Sequence, residues 1–214
     1  MNPDHAAWQA QSVLLGYPDD VTGRVPVLRR VAAALDRPVG KPLVRFLDHA
    51  ERTPATELAA AYVETFDHRK RCCLFLTYYA HGDTRRRGMA LLTLKQRYAA
   101  AGLRLVDEEL PDHLAVMLEY AASVDPAAGR ELLVAHRAGL ELLRLALHDA
   151  GSPWADVLDS VSATLPPLGG DERAAVARLA AQGPPEEKVG LAPFPTPESM
   201  PVATPVAAPR GAHR

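Results

Sequence analysis

An all-α fold follows from three features of the chain. β-Branched residues alternate over no useful length, so strand signals are nearly absent. Ala, Leu, Arg and Glu, which helices favour, dominate the body of the sequence. Capping side chains followed by proline at the first helical position recur at Thr53-Pro54, Asp125-Pro126 and Ser152-Pro153.

Apolar spacing and breakers together predict about ten helices. The first two, near 4–15 and 20–36, are separated by Gly16-Tyr17-Pro18 and closed by the run from Pro38 to Pro42. A third near 41–51 stops at Thr53-Pro54, which opens the fourth near 54–66. The next, near 72–81, carries a stripe of Leu74, Phe75 and Tyr78 and ends at Gly82-Asp83. Residues 84–101 continue to Gly102 and the acidic loop Asp107-Glu108-Glu109. In 112–123, with Asp112 as N-cap, the stripe is Leu114, Met117, Leu118 and Ala121; in a single long helix near 126–149 it is Leu133, Leu140, Leu143 and Leu147. Gly151 and Pro166-Pro167 bound a helix near 153–164, and a last one is expected near 171–181.

Short links imply antiparallel neighbours, and no repeat period emerges, so residues 1–182 are expected to form one compact helical bundle domain. From Gly183 the composition turns to Pro, Ala and Thr, which predicts a largely extended or disordered tail over 183–214. Its short apolar patch, Val189 to Phe194, is either part of a passive tail or a segment able to dock on the body.

Charge excludes several function classes. With 24 Lys+Arg against 26 Asp+Glu the net charge is −2, so there is no global basic field for nucleic acid or anionic membrane. Cys72 and Cys73 are adjacent, which is poor geometry for a structural disulfide and too few ligands for a zinc site. They read as small buried hydrophobes, with a redox or soft-metal role as the alternative; no metal and no cofactor are expected. The first residues carry no basic n-region, and no stretch reaches the roughly 18 apolar residues of a membrane span, so a cytoplasmic location is expected. Arg29-Arg30 lies inside a helical pattern and is not read as an export signal.

Phosphate-cradling loops, zinc-protease helices and nucleophile elbows are absent from the sequence, which argues against an enzyme. Arg85-Arg86-Arg87 is the densest basic cluster. A solvated helix face capped by Gly82-Asp83-Thr84 explains it; a phosphate or nucleotide site is the alternative. Aromatic and acidic residues concentrate at Tyr62, Glu64, Phe66, Asp67, Leu74, Phe75, Tyr78 and Tyr79, partly as core and partly as candidate walls of a peptide groove. Asp112 and His113 at a helix mouth suit a cationic, partly apolar peptide.

The ordered motifs Tyr62-Val63-Glu64-Thr65-Phe66-Asp67, Leu76-Thr77-Tyr78-Tyr79, Gly82 to Gly88, Glu109 to Leu114 with Glu119-Tyr120, Ala138 to Leu143, Gly151-Ser152-Pro153 and Thr164-Leu165-Pro166 carry a resemblance. The chain resembles the NarJ-type nitrate reductase molybdenum cofactor assembly chaperones over roughly residues 8–195. That resemblance implies a non-catalytic, all-helical protein that binds the N-terminal segment of the nitrate reductase catalytic subunit. Such a protein holds the apoenzyme while molybdenum cofactor is inserted, then leaves. It also implies a groove to which Pro111, Asp112 and His113 contribute. The residues expected to bind the peptide are Glu64, Asp67, Tyr79, Asp83, Asp112, His113 and Glu119. Two competing readings are a nucleotide- or phosphate-binding regulatory protein using Arg85 to Arg87, and a structural adaptor acting through its tail.

Overall fold

The computed structural model describes residues 3–18, 21–105 and 109–182, and among these the chain forms eleven α-helices and no strand. They are α1 (Pro3–Leu15), α2 (Val21–Ala34), α3 (Arg37–Arg52), α4 (Ala55–Phe66), α5 (Leu76–His81), α6 (Arg85–Ala100), α7 (Leu114–Ser123), α8 (Pro126–Ala135), α9 (Arg137–Asp149), α10 (Trp154–Ala163) and α11 (Gly170–Gln182). A 3-10 turn, Lys70–Cys72, lies between α4 and α5. The expected tail, 183–214, and most of the acidic loop lie outside the described residues.

The predicted stripes point inward. Leu114, Met117, Leu118 and Ala121 on α7 are fully buried, as are Leu133 on α8 and Leu140, Leu143 and Leu147 on α9. α1 packs chiefly on α7 and α10, and α3 packs on α2 and α10, so α10 sits between two layers. Trp154 begins α10 and fills that seam, with its ring 5.5 Å from Phe46, 5.6 Å from Tyr62 and 5.5 Å from Phe66. Its indole N–H donates to the Leu14 carbonyl at 3.1 Å, and the Tyr62 hydroxyl donates to Leu15 O at 2.9 Å. Both rings therefore bury their area without stranding a polar tip.

Backbones meet closely where glycine allows it. A Cβ on Gly40 would stand 2.2 Å from Ala32 O, and one on Gly129 would stand 2.4 Å from Ala121 Cα. These two contacts set the α2–α3 and α7–α8 packing. Gly82 ends α5 with φ 58° and ψ −158°, a region open essentially to glycine alone.

Five expectations change, the simplest being that the Ser152 hydroxyl makes no cap at the start of α10. The stretch 126–149 is two helices, because His136 leaves helical geometry (φ −102°, ψ 16°) and its Nδ1 lies 2.9 Å from Leu132 O. Gly129 ties α8 to α7 while Gly139 ties α9 to α5, so one periodic stretch answers to two neighbours and bends between them. The element expected at 72–81 shortens to a 3-10 turn, an extended stretch through Phe75 and the six-residue α5, since Phe75 is claimed by an antiparallel bridge to His113. Thr53 closes α3 rather than opening α4, its hydroxyl donating to His49 O at 2.9 Å. Asp112 does not cap α7; that role falls to His113, whose Nδ1 accepts from Ala115 N–H at 3.3 Å. Of the proline-linked caps, Asp125 is the one whose side chain acts as expected, accepting from Ala128 N–H at 2.9 Å.

Candidate functional site

Two extended segments build the site. Leu76 N–H donates to Asp112 O at 3.0 Å, and Leu114 N–H donates to Leu74 O at 2.9 Å. This bridge joins the entrance of α5 to the entrance of α7 and sets the Phe75 ring edge-on to the His113 ring, 5.3 Å between centroids. Beneath it the Asp112 side chain is fully buried. One carboxylate oxygen, Oδ2, takes the Thr77 hydroxyl as donor and lies 3.5 Å from the Arg87 guanidinium; the other, Oδ1, has no hydrogen-bond partner among the described residues.

Arg87 is the keystone of the outer layer. Its Nη1 pairs with Asp83 at 3.1 Å, and its guanidinium carbon lies 5.7 Å from the Phe75 ring centre and 6.0 Å from that of Tyr78. An arginine so placed joins a buried acid, an exposed acid and two half-buried aromatic rings. Arg85 and Arg86 are exposed. The three arginines therefore do not converge as a phosphate site would require, since Arg87 is used internally.

The structure gathers some of the predicted residues and scatters others. Asp83 and His113 lie on this face, and the charge of Asp67, exposed at the end of α4, acts on His113. Asp112 lies beneath the face as its support. Tyr79 is buried, its hydroxyl shared between Arg71 O at 2.9 Å and Cys73 O at 3.0 Å; burial foremost pushes its pKa far above the usual phenol range. Glu64 is exposed and engaged by His68 at 3.1 Å and Arg69 at 3.5 Å, which hold its carboxyl below its ordinary value. Glu119 is exposed on α7, about 9 Å along the helix from His113. Both thiols, Cys72 buried and Cys73 half-buried, have their pKa values raised by burial first, the setting of unreactive cysteines.

Sequence reasoning missed Thr77 and the role of Gly139. A Cβ there would stand 2.9 Å from the Tyr79 side chain, so α9 approaches α5 only because that position is bare. It also missed a cleft of about 910 Å³ beside the 3-10 turn, with Leu142, Leu145 and Ala146 of α9 on one wall and the end of α11 on another. Leu142 and Leu145 fall off the buried stripe of α9, the one signal that could have found it. Among the described residues no group of three His, Cys, Asp or Glu side chains is placed to hold a metal, and no helix is long and apolar enough to cross a membrane.

Two histidines make stability depend on pH. Burial holds His113 below its ordinary value, against the raising influence of Asp112 and Asp67. Burial likewise lowers His136, against its contact with Leu132 O and the charge of Asp112, while His81 adds to the lowering. The unfolded chain thus takes up protons first as pH falls. Each histidine contributes stability that is complete above about pH 6.5 and is lost as pH drops from there through its depressed folded value. The melting temperature is expected to be level near neutrality and to fall below about pH 6.5, and less steeply in His113→Gln and His136→Gln than in the parent. Melting curves parallel in all three proteins would show that other groups govern the acid limb.

The helical fold is shared with a solved structure described as a candidate redox enzyme maturation protein from Archaeoglobus fulgidus, which superposes with a TM-score of 0.52 over 84% of this chain and 94% of that one, at 18% identity. Residues 32–159 match the family model described as nitrate reductase delta subunit, and the chain belongs to that family. Among similar proteins, the nitrate reductase-like protein NarX of Mycobacterium tuberculosis is 39% identical over 157 residues, 73% of this chain and 24% of that protein. The chain thus spans about a quarter of that relative's length. The Bacillus subtilis protein named as probable nitrate reductase molybdenum cofactor assembly chaperone NarJ is 30% identical over 164 residues, 76% of this chain and 89% of that one. The Escherichia coli K12 NarJ chaperone is 31% identical over 159 residues, covering 73% and 62%. The resemblance read from the motifs is met.

Proposed function

We propose that this protein is an assembly chaperone for a respiratory nitrate reductase, binding the N-terminal segment of the apo catalytic subunit and supporting molybdenum cofactor insertion before membrane attachment. The cofactor is cargo for the client, and the chaperone acts in the cytoplasm as a one-domain body with its work done by a surface. The observation that carries this reading is the face around Phe75 and His113, where half-buried rings are flanked by the exposed carboxylates of Asp67 and Asp83. Such a face offers apolar contact and acids to an amphipathic, basic peptide, the needs of helix-in-groove recognition. Buried Asp112 holds it in place from below and half-buried Arg87 from the side. Of the remaining predicted residues, Tyr79 supports the same element from inside, and Glu64 and Glu119 extend the acidic surface away from the rings.

Calorimetric titration with the N-terminal peptide of the organism's own catalytic subunit, and with a scrambled control, tests this. Specific binding is expected with a dissociation constant on the order of 1 μM, or about −8.2 kcal/mol. Asp67→Asn combined with Asp83→Asn is expected to weaken it roughly tenfold, and added salt to weaken the parent more than the double variant. A folded sample that ignores the genuine peptide would overturn the reading, and an unaffected double variant would move the groove elsewhere on the body.

A further inference from the structure

A second concave surface, separate from the Phe75–His113 face, lies where α9, the 3-10 turn and α11 meet. Its floor is apolar: Leu142, Leu145 and Ala146, with Leu145 among the most exposed large hydrophobic residues of the described chain. Its rim is basic, since Arg69, Lys70 and Arg71 are consecutive and exposed, against the one lining carboxylate, Asp149. Arg69 shares its charge with Glu64 at 3.5 Å. Lys70 and Arg71 make no salt bridge to any described residue, so they are the cations available to an occupant.

α11 forms another wall and is itself weakly held. It touches α9 but buries none of its residues. An occupant touching both helices would cover exposed apolar surface on α9 and give α11 a second contact. The chain leaves α11 at Gln182, which lines the cleft. The succeeding residues of the sequence run Pro184-Pro185, then Glu186-Glu187, then Lys188, then Val189, Leu191 and Phe194, so two acids offset by one cation come before an apolar run.

We propose that the chain's own segment 186–194 docks in this cleft, Glu186 and Glu187 against Lys70 and Arg71, and Val189, Leu191 and Phe194 over Leu142 and Leu145. Reach is ample. Four residues of extended chain span about 13 Å and twelve span about 40 Å, whereas a cleft of this volume is on the order of 10 Å across. Because the ligand is tethered only a few residues from the site wall, its effective concentration is in the millimolar range, so a weak intrinsic affinity suffices for occupancy. The proposal is independent of the client-binding reading, which uses a different face.

Amide hydrogen exchange on the full-length protein tests it, comparing the parent with Glu186→Lys/Glu187→Lys, with Phe194→Ser, and with the charge-swapped protein that adds Lys70→Glu/Arg71→Glu to the first pair. The parent is expected to protect residues 186–194 by roughly tenfold over unstructured chain, together with the α9 amides near Leu142 to Ala146. Either the paired glutamate change or Phe194→Ser is expected to remove that protection, about 0.5 M salt to reduce it, and the charge swap to restore it. Exchange of 186–194 at the rate of unstructured chain in the parent overturns the proposal and leaves the cleft open to another partner. Protection indifferent to Glu186, Glu187 and Phe194 overturns it by placing the segment elsewhere. Protection that rises with protein concentration overturns it in favour of a second copy's tail.

Discussion

Glu141→Ala is expected to destabilise the fold by about 3–5 kcal/mol, seen as a lower denaturant midpoint with an unchanged slope. The magnitude follows from what the substitution strands. Arg137 and Glu141 are one turn apart on α9 and almost wholly buried, with Arg137 Nε 3.0 Å from Glu141 Oε1. The same oxygen accepts from Ser162 Oγ at 2.7 Å, and Oε2 accepts from Arg144 Nε at 2.7 Å. Arg137 donates through Nη2 to Ser162 Oγ at 3.0 Å, so charged and hydroxyl groups fasten α9 to α10, while the buried Nε and Nη1 of Arg137 meet Glu141 by charge and find no hydrogen-bond partner among the described residues. Without the carboxylate, a guanidinium remains in the interior with a serine for company; Arg144 is partly exposed and keeps Asp159 at 2.9 Å, so it suffers less. The loss is a desolvated cation rather than a missing attraction. Replacing both partners by apolar residues, Arg137→Met with Glu141→Leu, is therefore expected to recover most of the stability lost by Glu141→Ala alone. If the double variant is no better than the single one, the network acts by geometry and not by charge compensation.

This network also marks the boundary of what the sequence disclosed. The helix class and the inward stripes were legible because a buried face imposes its 3.6-residue period on the residues that line it, as Leu140, Leu143 and Leu147 do. Arg137 and Glu141 share that face and interrupt no pattern, since an i,i+4 ion pair reads identically on a wet or a dry surface. The break at His136 was hidden for the same reason: the apolar period runs through it, and the bend arises from two different helices claiming the two halves. At the site, the aromatic and acidic residues were visible as a cluster, but their depth was not. Asp112 follows Pro111 and precedes a helix, which reads as an N-cap, yet its carboxylate turns inward to Thr77 and leaves the capping to His113. Local chemistry was satisfied by either arrangement, and the choice was made by a bridge between two residues far apart in the sequence, Phe75 and His113.

The depth of Asp112 makes Arg87 the second residue whose loss should be felt most. Arg87→Ala is expected to destabilise the protein by about 3 kcal/mol, the lower end of the range for breaking a buried pair, because the guanidinium is itself 18% exposed and 3.5 Å from its partner. The substitution leaves a buried carboxylate with Thr77 as its one side-chain donor, and it removes the cation lying over Phe75 and Tyr78. Arg87→Lys separates the two causes. A lysine restores charge near Asp112 but has no planar fork with which to meet Asp112 and Asp83 at once, so an intermediate stability is expected. Peptide titration extends the test to function. If Arg87 positions the Phe75–His113 face, Arg87→Lys should weaken client binding while the protein remains folded, and the loss should exceed that of Arg85→Ala, which alters an exposed cation on the same helix. Equal affinities for Arg87→Lys and the parent would confine Arg87 to stability, whereas a larger effect from Arg85→Ala would bring the exposed arginines back as the binding surface.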